Sequence, residues 1–99
     1  MTVSVNKTPD AYRVEIDGVI KSVADSQSIK DAVNSCDEDG TKVVIDIVNS
    51  FSITSSVIGY LLKKVQADKM KLEIIARDDR LKELFKTLNL VEILNVRAG

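Results

Sequence analysis

The sequence predicts an α/β fold: a small domain with a mixed sheet of four or five strands and helices mainly on one side. Three observations carry this expectation. Val3 and Val5, then Tyr12, Val14 and Ile16, alternate with polar residues as half-buried strands do. Val43-Val44-Ile45-Asp46-Ile47-Val48 and the run Leu72, Ile74, Ile75, Ala76 are nearly continuous apolar, the mark of interior strands. Between and after them, apolar residues recur at i, i+3, i+4 and i+7, the spacing of one helix face.

Taken in order, the first two strands read as a hairpin around Thr8-Pro9-Asp10, followed by a turn at Asp17-Gly18. Ile29, Ala32, Val33 and Cys36 share one face of a first helix, for which Ser28 or Ser26 is the candidate cap. Asp37-Glu38-Asp39-Gly40 is a polar loop. The strand Val43 to Val48 is expected to be covered on both faces. Ile58, Leu61, Leu62 and Val65 define a second helix over residues 55–68, with Lys63, Lys64 and Lys69 near its C-terminus, where cations suit the helix dipole. A third helix, capped by Asp78 or Asp79, turns Leu81, Leu84, Phe85 and Leu88 inward. Asn89 can take a left-handed cap conformation, and Leu90 to Val96 form a short closing apolar segment. The order β-β-α-β-α-β-α-(β) implies parallel pairing with right-handed crossovers in its later part. The 99 residues form a single domain, 1–99.

Composition removes several function classes. The net charge of −1 argues against a nucleic-acid binder that relies on bulk electrostatics. No apolar run approaches the roughly 18 residues needed to insert across a membrane. A lone Cys36 forms no internal disulfide, which fits a cytoplasmic, reducing location. The chain has no His, and so lacks the commonest general base and metal ligand. No cofactor and no metal are expected.

The candidate functional segment is Thr54-Ser55-Ser56-Val57-Ile58-Gly59, where a buried-type strand passes through a short loop into a helix. No acid lies between Asp46 and Asp68. A helix start offers unpaired N–H groups and a partial positive charge, so two hydroxyls there suit either simple capping or phosphorylation. Asp46 reads either as a strand-end carboxylate bound by loop N–H groups or as a residue shaping the phosphosite. Phe51 and Ile53 are either core plugs or an apolar docking patch. Tyr60 packs into the core or lies on the outer face one turn from Ser56. Val57 places a β-branched side chain beside Ser56. Gly59 permits a close approach, of the helix to the sheet or of a partner to the helix.

This element order, with a double serine after the third strand, resembles the STAS domain and more narrowly the bacterial anti-sigma factor antagonists. Asp17-Gly18-Val19-Ile20 sits where that family has a Gly-Leu-Asp-like turn, and Val43-Val44-Ile45-Asp46-Ile47 looks like its apolar strand ending in aspartate. Thr54 to Gly59 falls where the family reads Asp-Ser-Ser-Gly-Leu-Gly, and Leu88-Asn89-Leu90 where it reads Thr-Gly-Leu. The chain departs from the pattern at Thr54, which stands for the aspartate, and at Val57, which stands for the glycine.

The resemblance implies a partner-switching module. Ser56, with Ser55 as second choice, is phosphorylated by a GHKL-type serine kinase that doubles as anti-sigma factor. A PP2C-type phosphatase reverses the modification, and the unphosphorylated form binds its partner. Asp46, Phe51, Ile53, Thr54, Ser55, Val57, Gly59 and Tyr60 are the partner-binding candidates. Alternatives are a stressosome-like scaffold that forms homo-oligomers, an unphosphorylated clamp on a lipid-transport ATPase, and a hydrolase using Ser56 with a lysine base.

Overall fold

The hairpin forms because Thr8 closes it from both sides. Its amide donates to the Ala11 carbonyl at 2.8 Å, and its hydroxyl oxygen accepts the Ala11 amide at 3.0 Å. In this computed structural model, which describes residues 1–36 and 40–99, strand β1 (Thr2–Lys7) pairs antiparallel with β2 (Ala11–Asp17). Strands β3 (Lys42–Ile47), β4 (Leu72–Ala76) and β5 (Val96–Arg97) follow in parallel, giving a sheet ordered β1-β2-β3-β4-β5. Helices α1 (Val23–Asn34), α2 (Ser55–Gln66) and α3 (Asp79–Thr87) make the crossovers. Of the expected polar loop, Asp37, Glu38 and Asp39 lie outside the described residues.

Strand alternation divides the sheet into two faces. Val14, Ile16, Val43, Ile45, Ile47, Leu72, Ile74 and Ala76 meet Ile29 and Val33 of α1, Val57 and Leu61 of α2, and Leu81 and Phe85 of α3 in one apolar cluster. All three helices therefore lie on one side. The intervening residues Arg13, Glu15, Val44, Asp46, Glu73 and Ile75 point to the other side, which none of the helices among the described residues covers. This corrects the expectation that β3 is covered on both faces: its inward positions are Val43, Ile45 and Ile47 alone.

That helix-free face is closed by long side chains. Asp46 is only 1% exposed as a side chain. Arg77 grips it with both ends of its guanidinium, Nε to Oδ1 at 2.8 Å and Nη2 to Oδ2 at 2.9 Å, and Arg13 completes the cluster. The carboxylate is thus held by arginines from β2 and from the end of β4, and not by loop N–H groups. Glu73 bridges β3 and β5 in the same manner, through Lys42 and Arg97.

Helix α1 starts earlier than its apolar period suggests. Ser22 is the N-cap, its hydroxyl accepting the Asp25 amide at 3.0 Å. Asp25 returns the bond by accepting the Ser22 amide at 3.1 Å, a capping box with aspartate in the acidic position. Ser26 and Ser28 consequently lie inside the helix and cap nothing. The first turn shows no apolar signal because Val23 points to solvent. Helix α2 ends at Gln66, two residues before the expected boundary, and Lys64 is largely buried, unlike a solvated lysine. Asp78 caps α3, and Asn89 takes the left-handed conformation (φ 57°). Leu88 is at the C-cap and exposed, not inward-facing. The closing segment is mostly turns. Leu90, Leu94 and Val96 reach the core, and the Asn95 carboxamide donates to the Leu72 carbonyl at 2.9 Å. No helix among the described residues is long and apolar enough to cross a membrane.

The Arg77 hydrogen bonds, reinforced by the charges of both arginines, hold the Asp46 carboxyl below its ordinary range, against the opposing effect of burial. Lys42 does the same for Glu73. A carboxyl whose pKa is lower folded than unfolded stabilises the fold above the unfolded pKa of about 4, and that stability is lost as pH falls through the folded value. Denaturant midpoints are expected to be nearly flat between about pH 7 and 5 and to fall below about pH 4. Asp46→Asn should lower the unfolding free energy at neutral pH by about 1–3 kcal/mol, because it weakens charge-assisted bonds to two arginines. It should also flatten the acid limb of the same titration.

Candidate functional site: the start of the second helix

The loop leading to α2 is fixed from below by a buried serine. Ser50 has no exposed surface; its oxygen accepts the Ile20 amide at 3.1 Å and its hydroxyl donates to the Ser52 carbonyl at 2.6 Å. The Ser52 hydroxyl donates to the Ile20 carbonyl at 3.1 Å. These bonds tie the loop to the turn after β2, where Gly18 adopts a positive φ of 112° that side-chain-bearing residues avoid.

Thr54 is the N-cap of α2. It has extended backbone (φ −79°, ψ 151°), and its hydroxyl oxygen accepts the Val57 amide at 3.2 Å. It also lies 2.8 Å from the Ser26 hydroxyl of α1. Ser26 donates to the Ser22 carbonyl at 3.1 Å, so Thr54 is left as donor to Ser26, and a run of hydroxyls joins the two helix starts. Thr54 is therefore occupied in structure on both sides.

Ser55 and Ser56 follow as the first two helical residues, both exposed. They differ in surroundings. The Lys30 ammonium of α1 donates to the Ser56 hydroxyl oxygen at 2.6 Å. One turn on, the half-buried Tyr60 lies against the same helix: its hydroxyl is 3.2 Å from the Lys30 carbonyl and also meets the Asn34 carboxamide oxygen. The ammonium groups of Lys30 and Lys64 stand 6.0 and 5.7 Å from the centre of its ring, within cation–π range. The first turn of α2 contains no acid.

The remaining candidates separate. Val57 is buried in the core; at 100° per residue it points inward when Ser56 points to α1, so its branched side chain does not stand beside Ser56 on the surface. Ile53 packs against the core edge. Phe51 is 46% exposed, with the Arg80 guanidinium 4.8 Å above its ring. Arg80 is held by Asp78 at 2.8 and 3.1 Å, and that pairing lowers the Asp78 carboxyl to about 2. Asp46 lies on the helix-free face and does not join the hydroxyl cluster. Gly59 is exposed, and a Cβ added there would meet nothing within 4 Å, so it is not required for packing on the sheet.

Lys30, Ser26 and Ser50 were not among the sequence-derived site residues. Lys30 is four residues after Ser26 and shares its helix face, but only the packing of α1 on α2 reveals which face that is. Among the described residues no group of three or more acidic, Cys or His side chains could hold a metal ion. An open cleft along β4 and β5, lined by Glu73, Val91 and Arg97 among others, includes none of the hydroxyl-cluster residues. Cys36 is buried, and desolvation raises its thiol pKa, which makes it a poor nucleophile. No known family model and no curated protein matches the chain.

Two stability measurements check this assignment. Thr54→Ala removes both the cap and the partner of Ser26, and the denaturant midpoint should register a loss of about 1–2 kcal/mol. Gly59→Ala fills open space on a helix surface, and should raise stability by about 0.5–1 kcal/mol.

Proposed function

We propose that this chain is a phosphorylatable regulatory binding module of a bacterial partner-switching pathway, of the kind the STAS-type anti-sigma factor antagonists represent. The observation that carries the reading is the setting of Ser56. Ser56 is an exposed residue in the first, acid-free turn of α2, with a lysine ammonium 2.6 Å from its hydroxyl oxygen. A GHKL-type kinase is the proposed enzyme. The Ser56 oxygen attacks the γ-phosphorus of the kinase's ATP, the bond to the ADP oxygen breaks, and the hydroxyl proton passes to a base of the kinase. The nucleotide belongs to the kinase, so the module needs no cofactor. A PP2C-type phosphatase hydrolyses the ester and restores the binding form.

The docking surface in this reading is the exposed start of α2 with its loop: Phe51, Ile53, Thr54, Ser55, Gly59 and Tyr60 around Ser56. Phosphate adds charge and bulk at the centre of that surface. Its position in the first helical turn suits the dipole, by roughly 0.3–1 kcal/mol when exposed, so modification obstructs docking without unfolding the helix. The 2.6 Å approach of Lys30 to Ser56 also bears on a second reading, a serine nucleophile whose lysine, once deprotonated, accepts the Ser56 proton. Labelling of Ser56 by a serine-directed acylating probe would support it.

Phosphopeptide mapping of the protein from its native cells, beside a Ser56→Ala strain, is the deciding experiment. The expected result is phosphate on Ser56 that disappears in the variant. Phosphate on Ser55 alone would move the site by one residue. No phosphate under any growth condition would overturn the switch and leave a constitutive scaffold or clamp.

A further inference from the structure

The Lys30–Ser56 contact joins two helices that other bonds already hold in fixed relation. Ser26 meets Thr54 at 2.8 Å at one end of the seam. At the other, the Tyr60 hydroxyl meets the Lys30 carbonyl at 3.2 Å, so the backbone that carries the lysine is fastened directly to α2. The side chain then runs beside the Tyr60 ring and ends on the Ser56 oxygen. An ammonium has three donors and needs only one for a hydroxyl. Asp31, the next residue along α1, accepts from Gln27 at 2.9 Å, on its own helix.

Resting on the phosphoswitch reading, we infer that Lys30 is the positioning residue that captures the phosphate of phospho-Ser56 and so fastens α1 to α2 in the modified protein. The phosphate oxygens extend outward from the oxygen that Lys30 already contacts. Rotation about the Ser56 side chain brings them to the same ammonium with no movement of either helix. The free form presents a cationic Lys–Ser pair to a partner. In the modified form that pair becomes an ion pair, and the cation is no longer available to the partner. Lys30 thus makes phosphorylation a change of surface chemistry on an unchanged fold.

The test installs phosphoserine at position 56 by genetic code expansion, which requires no kinase, and follows its phosphorus NMR shift against pH. The second ionisation of a free phosphoserine lies near about 6. In the otherwise unaltered protein it should titrate roughly half a unit lower than in the same phosphoprotein carrying Lys30→Gln, the size expected of a solvent-exposed ion pair. Lys30→Arg should retain the shift, and about 0.5 M salt should shrink it in the unaltered phosphoprotein. Identical titrations with and without the lysine, with circular dichroism showing both folded, would overturn the inference. So would a salt-insensitive titration in the unaltered phosphoprotein. A shift that depends on Lys30 in a protein never phosphorylated in its native cells would refute the switch but leave the capture standing. Native phosphate on Ser56 with no Lys30 dependence would do the reverse.

Discussion

With every helix on one side, the sheet must close its second face with its own side chains, and the clasp of Asp46 by Arg13 and Arg77 is the centre of that solution. An isolated carboxylate at this depth would cost several kcal/mol. Two guanidiniums, each still partly in water, offset that cost and connect three strands that the backbone ladders join only pairwise. The Lys42–Glu73–Arg97 cluster extends the same principle to the short β5. Because the sheet is closed from behind in this way, the helix side can be packed with Val, Ile and Leu and still leave the start of α2 at the surface.

The seam between α1 and α2 is polar where the rest of that side is apolar. Ser26, Thr54, Lys30, Ser56, Tyr60 and Asn34 each bond across it, while Val57 and Leu61 turn inward from the same helix. One helix therefore has two separable faces. Its inward stripe holds the fold, and its α1-facing edge carries the polar contacts and the proposed phosphosite. A change in charge at Ser56 is met by a neighbouring side chain and not by the core, which is why the proposed switch need not alter the fold.

Much of the architecture was legible from spacing alone: the hairpin, the two apolar strands β3 and β4, the apolar helix faces apart from Leu88, an aspartate cap on α3 narrowed to Asp78 or Asp79, and the left-handed Asn89. What spacing did not reveal depends on contacts distant in sequence. The partners of Asp46 lie 33 and 31 residues away, so nothing local marks it as a clasp. The start of α1 was obscured because Val23 faces solvent and the capping acid is Asp25. At the site, the sequence pointed to Ser56, and helical geometry then sorted its neighbours. Val57 went to the core and Gly59 to open surface. Lys30 required the crossover to be built before it could be placed.

The sheet order repeats the order of the chain, so no strand is inserted between two already formed. Each strand can be laid against the preceding one, and folding can proceed as edge growth, with loop closures limited to single crossovers. The cost falls at the end of this process. Until Leu94 and Val96 arrive, β4 is itself an edge with Ile74 open to any passing strand. A late, two-residue β5 therefore acts as the stopper of the growing sheet, and its loss would be felt first as self-association of folding intermediates.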